Sequence, residues 1–531
     1  MPRPLHAAEL VAAAPVWLLE LTFAGRAFRF SSELVDISDA DSNVLSYEGA
    51  LGEVEFDEGF DLFSEAPSLP SVSFEVFFPA GVSVAALVGQ GHALDGAKGE
   101  LSLHLPGNAY EDRSIRIQGT LSEPVYGDSG EPVAFSLESL PFEDGAQWPP
   151  AGAVVSETTW PDRDPQAEGL YYPTIIGKPG IFGASALSAT PALFVDDPAA
   201  SATNLFLVAG HHVTATSIKI NDIDSGDTKV VSVVNSTDNL GREIARIDLD
   251  DGDPAPNAVL GHTYYAKWTE GGGGVVNYTG DGPLEGAGDV IRWLLERSTL
   301  DVDVGRTIAA ADLVNGYKLA GYIDTAVSPY AYLQQVLELV PVSMASGPGG
   351  IYPIAWRLDA GSADAVEALE AGPRLSRESG VGYGSTEIAN EIRIEYAYWL
   401  SRDYHRGQLT LTGDEVDGTD PDIFSTVYSR TSQSRYGKRS KTITTDLVYE
   451  RATAAAILKW QARAFGLPSR TVTYSADLSL GWLERGDVVT LTDPEISLSS
   501  QVCLVQAIQW SGNSLSLTLT LIEDPPRDAK L

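Results

Sequence analysis

Residues 502–521, VCLVQAIQWSGNSLSLTLTL, decide the fold class. In the last part, serine and threonine alternate with four leucines: Leu515, Leu517, Leu519 and Leu521. A period of two places successive side chains on opposite faces of a strand, so one face of this strand is buried. A turn at 511–514 separates it from a strand at Val502–Trp510. The sequence therefore predicts a closing pair of β-strands.

The sequence before this pair predicts one helix and two further strands. The helix spans about 447–465, and its apolar stripe consists of Leu447, Ala454, Leu458, Ala462 and Phe465. Gly466 and Pro468 then end it, because glycine favours the position after a helix and proline cannot continue one. Strands are predicted at 471–474 and 487–491.

Toward the N-terminus, short runs of alternating apolar residues predict mainly strands. A hairpin is expected at 19–30, further strands at 72–78, 101–105, 115–121 and 133–137, and a short helix at 82–88. After a Pro- and Gly-rich crossing at 143–180, strands are predicted at 205–209, 216–220, 229–234 and 263–268. Helices at 289–297 and 330–340 follow, and strands resume from about Glu387.

This order predicts a mainly β, multidomain fold with an α+β insertion, built from several small domains that resemble barrels or sandwiches. We expect a β-rich domain at 1–147, a second at 148–280 with a Pro- and Gly-rich lead-in, a mixed α/β domain at 281–386, and a β-rich domain with one helix at 387–531.

The charge balance excludes several function classes. The 531 residues include 35 Lys and Arg but 73 Asp and Glu, which gives a formal charge of -38. Tight binding of nucleic acid or anionic membranes by the whole surface is disfavoured, because such affinity depends largely on Lys and Arg. Cys503 is the single cysteine, which excludes an intramolecular disulfide and a cysteine-based zinc site. We expect a soluble chain with neither a Sec signal nor a membrane anchor.

Residue patterns for catalysis or metal binding are weak. The sequence has no phosphate-binding Gly-Lys-Ser/Thr loop, paired-histidine metalloprotease helix or Gly-x-Ser-x-Gly elbow. His211 and His212 are adjacent and would point to opposite faces of a strand, so we predict structural or surface roles. The acidic run at 248–253 fails the calcium-loop pattern, because Gly252 is misplaced and Val259 replaces the bidentate glutamate. No enzymatic activity, metal or cofactor is predicted.

One segment departs from the acidic balance. Between 430 and 441 there are five basic residues and no acid: Arg430, Arg435, Lys438, Arg439 and Lys441. This basic segment is suited to contact an acidic neighbouring subunit or a nucleic acid. A mobile, exposed loop is an equally weighted interpretation, because charged runs are commonly solvated.

Several motifs resemble the tail-tip or baseplate hub proteins of tailed bacteriophages and related gene transfer agents. At the C-terminus they are the helix with Ala454–Trp460 and the stretch Trp482–Leu491, whose Gly-Asp-x-Val strand precedes a final hairpin. In the first segment they are Tyr47–Gly49, Tyr110–Arg113 and Glu123–Tyr126. The order of the β-rich and mixed segments also resembles that family.

The resemblance implies a structural virion protein at the tail tip. Such hubs form a ring, commonly a trimer, that joins the tail tube to the tip and surrounds the DNA exit channel. The expected partners are other copies of the chain, distal tail or tube proteins, and tip or fibre proteins. DNA is expected only in transit, since an acidic lumen would repel it. Homotrimer formation and genome ejection are therefore expectations from the resemblance.

Two other classes of protein stay open. A secreted polysaccharide-acting or carbohydrate-binding protein is one, because ten Trp residues offer aromatic platforms for sugars. Against this, Trp293 and Trp460 fall in predicted helices and are more simply core residues. A multidomain scaffold without a viral connection is the other.

Overall fold

The computed structural model describes residues 15–522 except 24, 60–70, 79–87, 92–94, 127–131, 140–145, 162, 180–189, 196–202, 223, 225, 227, 251–262, 269–272, 348, 384–387, 401–402, 415, 417–418 and 512–513. Strands predominate, and the described residues contain five α-helices. The prediction of a mainly β fold with mixed α/β parts is confirmed. No helix in the described part of the chain is long and apolar enough to cross a membrane.

The N-terminal part consists of strands and a single 3-10 turn at Tyr110–Asp112. The strands are Val16–Phe23 (β1), Arg26–Ser31 (β2), Val35–Ser38 (β3), Val44–Gly49 (β4), Glu55–Gly59 (β5), Ser71–Val76 (β6), Lys98–His104 (β7), Ser114–Tyr126 (β8) and Val133–Ser139 (β9). The predicted hairpin at 19–30 corresponds to β1 and β2, which pair antiparallel. Residues 82–87 of the predicted short helix lie outside the described residues.

The next part forms a second set of strands. They are Thr174–Ile176 (β10), Thr190–Phe194 (β11), Thr203–Ala209 (β12), Ser217–Asp222 (β13), Thr228–Ser232 (β14), Val234–Thr237 (β15), Glu243–Asp250 (β16) and Tyr264–Trp268 (β17). All but β10 make a seven-stranded sheet in the order β14-β13-β17-β11-β12-β16-β15. One face of the sheet covers a core in which Phe206 lies 4.8 Å from Phe194 and 4.7 Å from Tyr264 between ring centroids. Leu205, Leu207 and Ile244 of the same sheet belong to a second, smaller core. We call this sheet the barrel.

The helices follow. The mixed part contains Ala287–Leu295 (α1), Val304–Val314 (α2), Gly321–Ile323 (β18), Pro329–Leu337 (α3), Val342–Gly347 (β19) and Gly350–Ala355 (β20). The remaining part contains Glu367–Glu370 (β21), Leu375–Arg377 (β22), Gly382–Tyr383 (β23), Glu391–Trp399 (β24), Tyr404–Thr412 (β25), Ile423–Ser425 (β26), Val427–Tyr436 (α4), Ser440–Thr444 (β27), Arg451–Phe465 (α5), Arg470–Ala476 (β28), Val488–Asp493 (β29), Leu498–Ser511 (β30) and Ser514–Leu521 (β31).

Both ends of the chain share one 16-stranded sheet, whose main path is β22-β28-β31-β30-β5-β6-β9-β8-β7-β1-β2-β4-β3. The junction is β5 against β30, where Phe56 lies opposite Trp510 in an antiparallel register. Trp17 of β1 also contacts Trp510, with 5.7 Å between ring centroids. The leucines of β31 are buried in the same core, as predicted. We call this sheet and its core the terminal lobe.

A separate core joins α1, α3 and α5 to the hairpin β19–β20 and to the four-stranded sheet β26-β25-β24-β27. Trp460 of α5 is central, because its indole N–H donates to the Leu339 carbonyl oxygen at 2.9 Å and its ring contacts Trp356. We call this the central lobe. Its residues lie on both sides of the predicted boundary between 386 and 387, and the four-domain division itself stays a prediction.

The long helix of the central lobe begins later than predicted. The apolar stripe placed its start near Leu447, but α5 begins at Arg451. Residues 447–449 are extended and buried, and the carbonyl oxygens of Leu447 and Val448 accept hydrogen bonds from the Ala320 and Ala397 N–H groups. Leu447 therefore joins the core from a non-helical segment that precedes α5. The predicted start of the helix was wrong because apolar spacing alone does not distinguish such a segment from a first helical turn.

Candidate functional surfaces

The basic segment is not a loop, and this part of the sequence prediction was wrong. Arg430 and Arg435 lie on α4, and Lys441 lies on β27. Thr426 and Ser429 cap α4 reciprocally, with the Ser429 N–H donating to Thr426 Oγ1 at 3.1 Å and the Thr426 N–H donating to Ser429 Oγ at 2.9 Å. This helix buries only Ser429 and Ser432, so it lacks the apolar stripe by which helices are recognised.

Asn390 fixes the end of α4 against the central lobe. It is fully buried, and its side-chain amide donates to Ser432 Oγ at 3.0 Å and to the Gly437 carbonyl oxygen at 2.8 Å. The side-chain oxygen Oδ1 of Asn390 accepts a hydrogen bond from the Arg439 N–H at 2.8 Å. Gly437 has a φ of 68°, which a residue with a side chain rarely adopts. One buried amide thus holds the turn that connects α4 to β27.

All five basic side chains of the segment are exposed. Lys438 pairs with Glu391 on the neighbouring strand. Lys441 lies over the Phe465 ring and donates to Gln461 Oε1 at 3.2 Å, so its stem covers α5. Arg430 donates to Ser425 Oγ at 3.1 Å. The segment presents a positively charged surface held on rigid elements, and whether it contacts another subunit stays a prediction.

A second surface is the outer face of six neighbouring strands of the terminal lobe: β28, β31, β30, β5, β6 and β9. The register aligns Thr473 with Thr518, Ser516 with Gln509, and Ser73 with Ser136. We call this the hydroxyl face. Its described side chains are Thr471, Thr473, Ser475, Ser514, Ser516, Thr518, Gln509, Ser511, Glu55, Ser73, Glu75, Ser136 and Glu138.

Short polar contacts tie the strands of the hydroxyl face together. The hydroxyl oxygens of Thr473 and Thr518 are 3.2 Å apart, and those of Ser73 and Ser136 are 3.1 Å apart. Ser516 donates to the Glu378 carboxylate at 2.9 Å. The sequences of β5, β6, β9, β30 and β31 contain no Lys or Arg. The charge on this face is therefore negative or zero.

His211 is placed as a structural residue. It is buried, and both ring nitrogens bond to the main chain: the Ile175 N–H donates to Nε2 at 3.0 Å, and Nδ1 bonds to the His212 carbonyl oxygen at 2.9 Å. Burial lowers the pKa of His211 to about 4. With both ring nitrogens occupied, His211 offers no lone pair to a metal.

The acidic run at 248–253 is described only in part. Asp248 pairs with Arg246 at 3.4 Å, whereas 251–253 lie outside the described residues. Among the described residues, no group of three or more His, Cys, Asp or Glu side chains is placed to hold a metal ion.

A polar cleft of about 500 Å³ lies beside the start of α1. The ammonium groups of Lys178 and Lys318 pair with the Glu285 carboxylate at 3.5 and 3.3 Å. Asp281 accepts hydrogen bonds from Thr279 at 2.6 Å and Asn277 at 2.9 Å, and these bonds lower its pKa. A general acid needs a raised pKa, so Asp281 is unsuited to that role.

None of the ten tryptophans is exposed, and all ten lie within the described residues. Eight are buried, including Trp293 and Trp460, which the sequence assigned to the core. The other two, Trp148 and Trp482, pack against the apolar cores as partly buried side chains. The aromatic platforms that favoured carbohydrate binding are therefore not present on the surface.

The hydroxyl face was missed from the sequence, although its signal was present. The alternation at 515–521 identifies a buried face, and the same period places Ser516 and Thr518 on the opposite face. The absence of Lys and Arg from 30–97 was a further signal. What the sequence does not indicate is that β5 and β30, far apart in the chain, lie side by side.

Residues 332–508 match the model of a family described as putative phage tail protein. This stretch is about a third of the chain and includes most of α3, the whole basic segment and β29. It also contains both C-terminal motifs on which the resemblance was based. The predicted resemblance to phage tail proteins is thus confirmed over these residues. No curated protein matches the chain.

Several solved structures are similar to the chain at low sequence identity. A tail protein from Neisseria meningitidis MC58 is 10% identical, with 96% of this chain and 97% of that chain covered and a TM-score of 0.39. The 43 kDa tail protein of prophage MuSo2 from Shewanella oneidensis is 10% identical, with coverages of 95% and 98% and a TM-score of 0.36. The prophage tail protein gp18 from Listeria monocytogenes EGD-e is 9% identical, with coverages of 92% and 94% and a TM-score of 0.30.

Proposed function

We propose that the chain is a structural protein of a phage tail tip or baseplate, in which copies form a ring around the path of the DNA. The ring joins the tail tube to the tip proteins and performs no reaction. Support comes from the family match at 332–508 and from the hydroxyl face. A ring of identical subunits also suits a chain whose positive and negative surfaces are separate.

The hydroxyl face carries the proposal, because its chemistry fits contact with moving DNA. Lys and Arg bind DNA by replacing the counterions that surround its phosphates. Five of the six strands of this face lack both residue types, and exposed carboxylates such as Glu55, Glu75 and Glu138 repel phosphate. We infer that the hydroxyl face lines the channel, where Ser and Thr keep the wall wetted and DNA does not adhere.

The test places positive charge on this face. In the variant Ser73→Lys/Thr473→Lys/Ser516→Lys, we expect double-stranded DNA to bind the purified oligomer at low salt and to dissociate as salt rises. In assembled particles, DNA release should slow. The matched control is Ser362→Lys, which adds a charge at an exposed residue of the 3-10 turn Ser362–Asp364, outside the six strands of this face.

Two results would contradict the proposal. A chain that stays monomeric at high concentration and is absent from purified particles would exclude the ring. A lysine variant that releases DNA at the rate of the Ser362→Lys control would exclude the hydroxyl face as channel wall.

A further inference from the structure

We propose that copies of the chain join head to tail, with the basic edge strand β27 of one copy docking on the acidic β3–β4 hairpin of the next. This inference rests on the proposed ring and identifies the two surfaces that close it. The observations are the open edges of two sheets, the charges beside them and the exposed apolar residues on the hairpin.

Strand β27 is an open edge. It ends the four-stranded sheet and pairs only with β24 among the described strands. Four of its five residues are exposed, and its sequence, Ser-Lys-Thr-Ile-Thr, is suited to a strand. Lys441 leans over α5, which leaves the outer main-chain groups of β27 uncovered by that side chain. Such an edge is a template for pairing with another strand.

The charges beside β27 make this edge selective. Lys438 and Arg439 precede the strand directly, and Arg430 and Arg435 project from α4 next to it. A strand from a neutral or basic partner would gain the main-chain bonds but no attraction to these basic side chains. An acidic strand would gain both the main-chain hydrogen bonds and the attraction to the basic side chains. Charge would therefore select the partner, and main-chain hydrogen bonds would join the two strands.

The complementary surface is the hairpin β3–β4. Strand β3 is the last strand of the 16-stranded sheet and pairs only with β4 among the described strands. The exposed carboxylates on the hairpin and directly before it are Glu33, Asp36, Asp41 and Glu48. The sequence contains no Lys or Arg from Phe30 to Ala97, so no basic residue of the hairpin neutralises them.

The same hairpin exposes apolar side chains that a partner would cover. Leu34 is 81% exposed and Val44 is 62% exposed. They lie near the two ends of the short ladder, where Ser38 is opposite Val44 and Val35 is opposite Tyr47. A partner strand docked on this edge would remove both side chains from water, which favours association.

A second copy is the occupant that these observations favour. The two surfaces belong to one chain but differ in charge, so a contact between them is heterologous and closes into a ring when the rotation permits. Two like surfaces would repel each other. DNA offers neither a strand for β27 nor a partner for the acidic hairpin, and the chain's charge of -38 opposes its approach.

Engineered disulfide formation tests the contact directly. Cys503 is fully buried and burial raises its thiol pKa to about 12, so the native chain provides an unreactive background. We expect copies with Asp36→Cys to cross-link to copies with Thr442→Cys under mild oxidation, and the double variant to form covalently closed rings. The matched control pairs Asp36→Cys with Ser362→Cys, whose introduced thiol is exposed but lies off β27.

Charge reversal gives a second, independent readout. Lys438→Glu/Arg439→Glu should weaken self-association by about tenfold or more, and mixing with Asp36→Lys/Glu48→Lys copies should restore it. Sedimentation measures the association, and an unchanged urea midpoint shows that each variant is folded. The control Ser362→Lys should associate like the native chain.

The outcomes separate this interface from the proposed function. Rings that form without the Asp36–Thr442 cross-link overturn the interface and leave the ring intact. A native chain that is monomeric at every concentration overturns both. If Lys438→Glu/Arg439→Glu abolishes DNA binding but leaves self-association unchanged, the basic segment is a DNA site and the inference is wrong.

Discussion

The terminal lobe and the central lobe distribute polar residues in different ways. In the terminal lobe, the alternation of β31 and β28 sends apolar residues to one core and hydroxyl groups to one continuous face. In the central lobe, hydroxyl and amide groups such as Ser429, Ser432 and Asn390 are buried, where they hold the basic segment in place. The same residue types therefore form a surface in one lobe and a support in the other.

The largest expected effect distinguishes the two cores. Trp510→Ala should lower the free energy of unfolding by about 3–5 kcal/mol, because a buried indole at the junction of β5 and β30 is lost. Hydrogen exchange should rise in strands from both ends of the chain, β1 as well as β31. The matched variant Trp460→Ala should instead raise exchange in α3 and α5.

If Trp510→Ala loosens only the C-terminal strands, the two chain ends do not form one cooperative unit. The shared core would then be a contact between separately stable parts.

The barrel contains a buried histidine, His211, that should make its stability depend on pH. The pKa of His211 is about 4 in the folded chain, below the ordinary histidine pKa of 6.5, so the unfolded chain binds more protons between these values. Stability therefore falls as pH drops from 6.5 to 4, by up to about 3 kcal/mol. Urea unfolding followed at barrel residues should show this slope, and His211→Gln should remove it.

The adjacent histidine is the control for this slope. His212→Gln should keep the decrease in stability below pH 6.5, since its ring lies at the surface of the barrel and is only half-buried. A slope that survives His211→Gln would show that another group causes it.

The smallest effects compare one serine from each lobe. Ser516→Ala, on the hydroxyl face, should change the free energy of unfolding by less than about 0.5 kcal/mol, as is usual at solvated positions. Ser432→Ala should cost about 1–2 kcal/mol, because the buried Asn390 amide loses an acceptor. Urea unfolding measures both changes. Equal losses in the free energy of unfolding would show that the two hydroxyl groups contribute equally to stability, which contradicts the comparison.

The sequence predicted those elements whose periodicity is local. The closing strands, α1, α3 and most of α5 were found because their apolar residues recur at two or at three to four positions. The helix α4 was missed because it packs through serines, and capping by Thr426 and Ser429 was its main signal. The start of α5 was predicted near 447 rather than at Arg451, because the buried, non-helical residues 447–449 continue the apolar spacing of the helix.

Long-range pairings had no signal in the sequence. The register of β5 with β30 depends on a shared core that assembles from residues at both ends, such as Trp17 and Trp510. The candidate surfaces also depend on pairings between strands that are far apart in the sequence. The basic segment was identified by composition, but the acidic hairpin β3–β4 and the hydroxyl face became visible only when the strands were arranged in sheets.

The pairing of β5 with β30 has a consequence for synthesis on the ribosome. Strands made early must wait for partners translated more than 400 residues later, as the ladder from Glu55 to Ser511 requires. The central lobe and the barrel, which are encoded between them, are free to fold first. The edge at β3 is thus backed by a finished sheet only after β30 has been translated, which delays strand pairing between nascent chains.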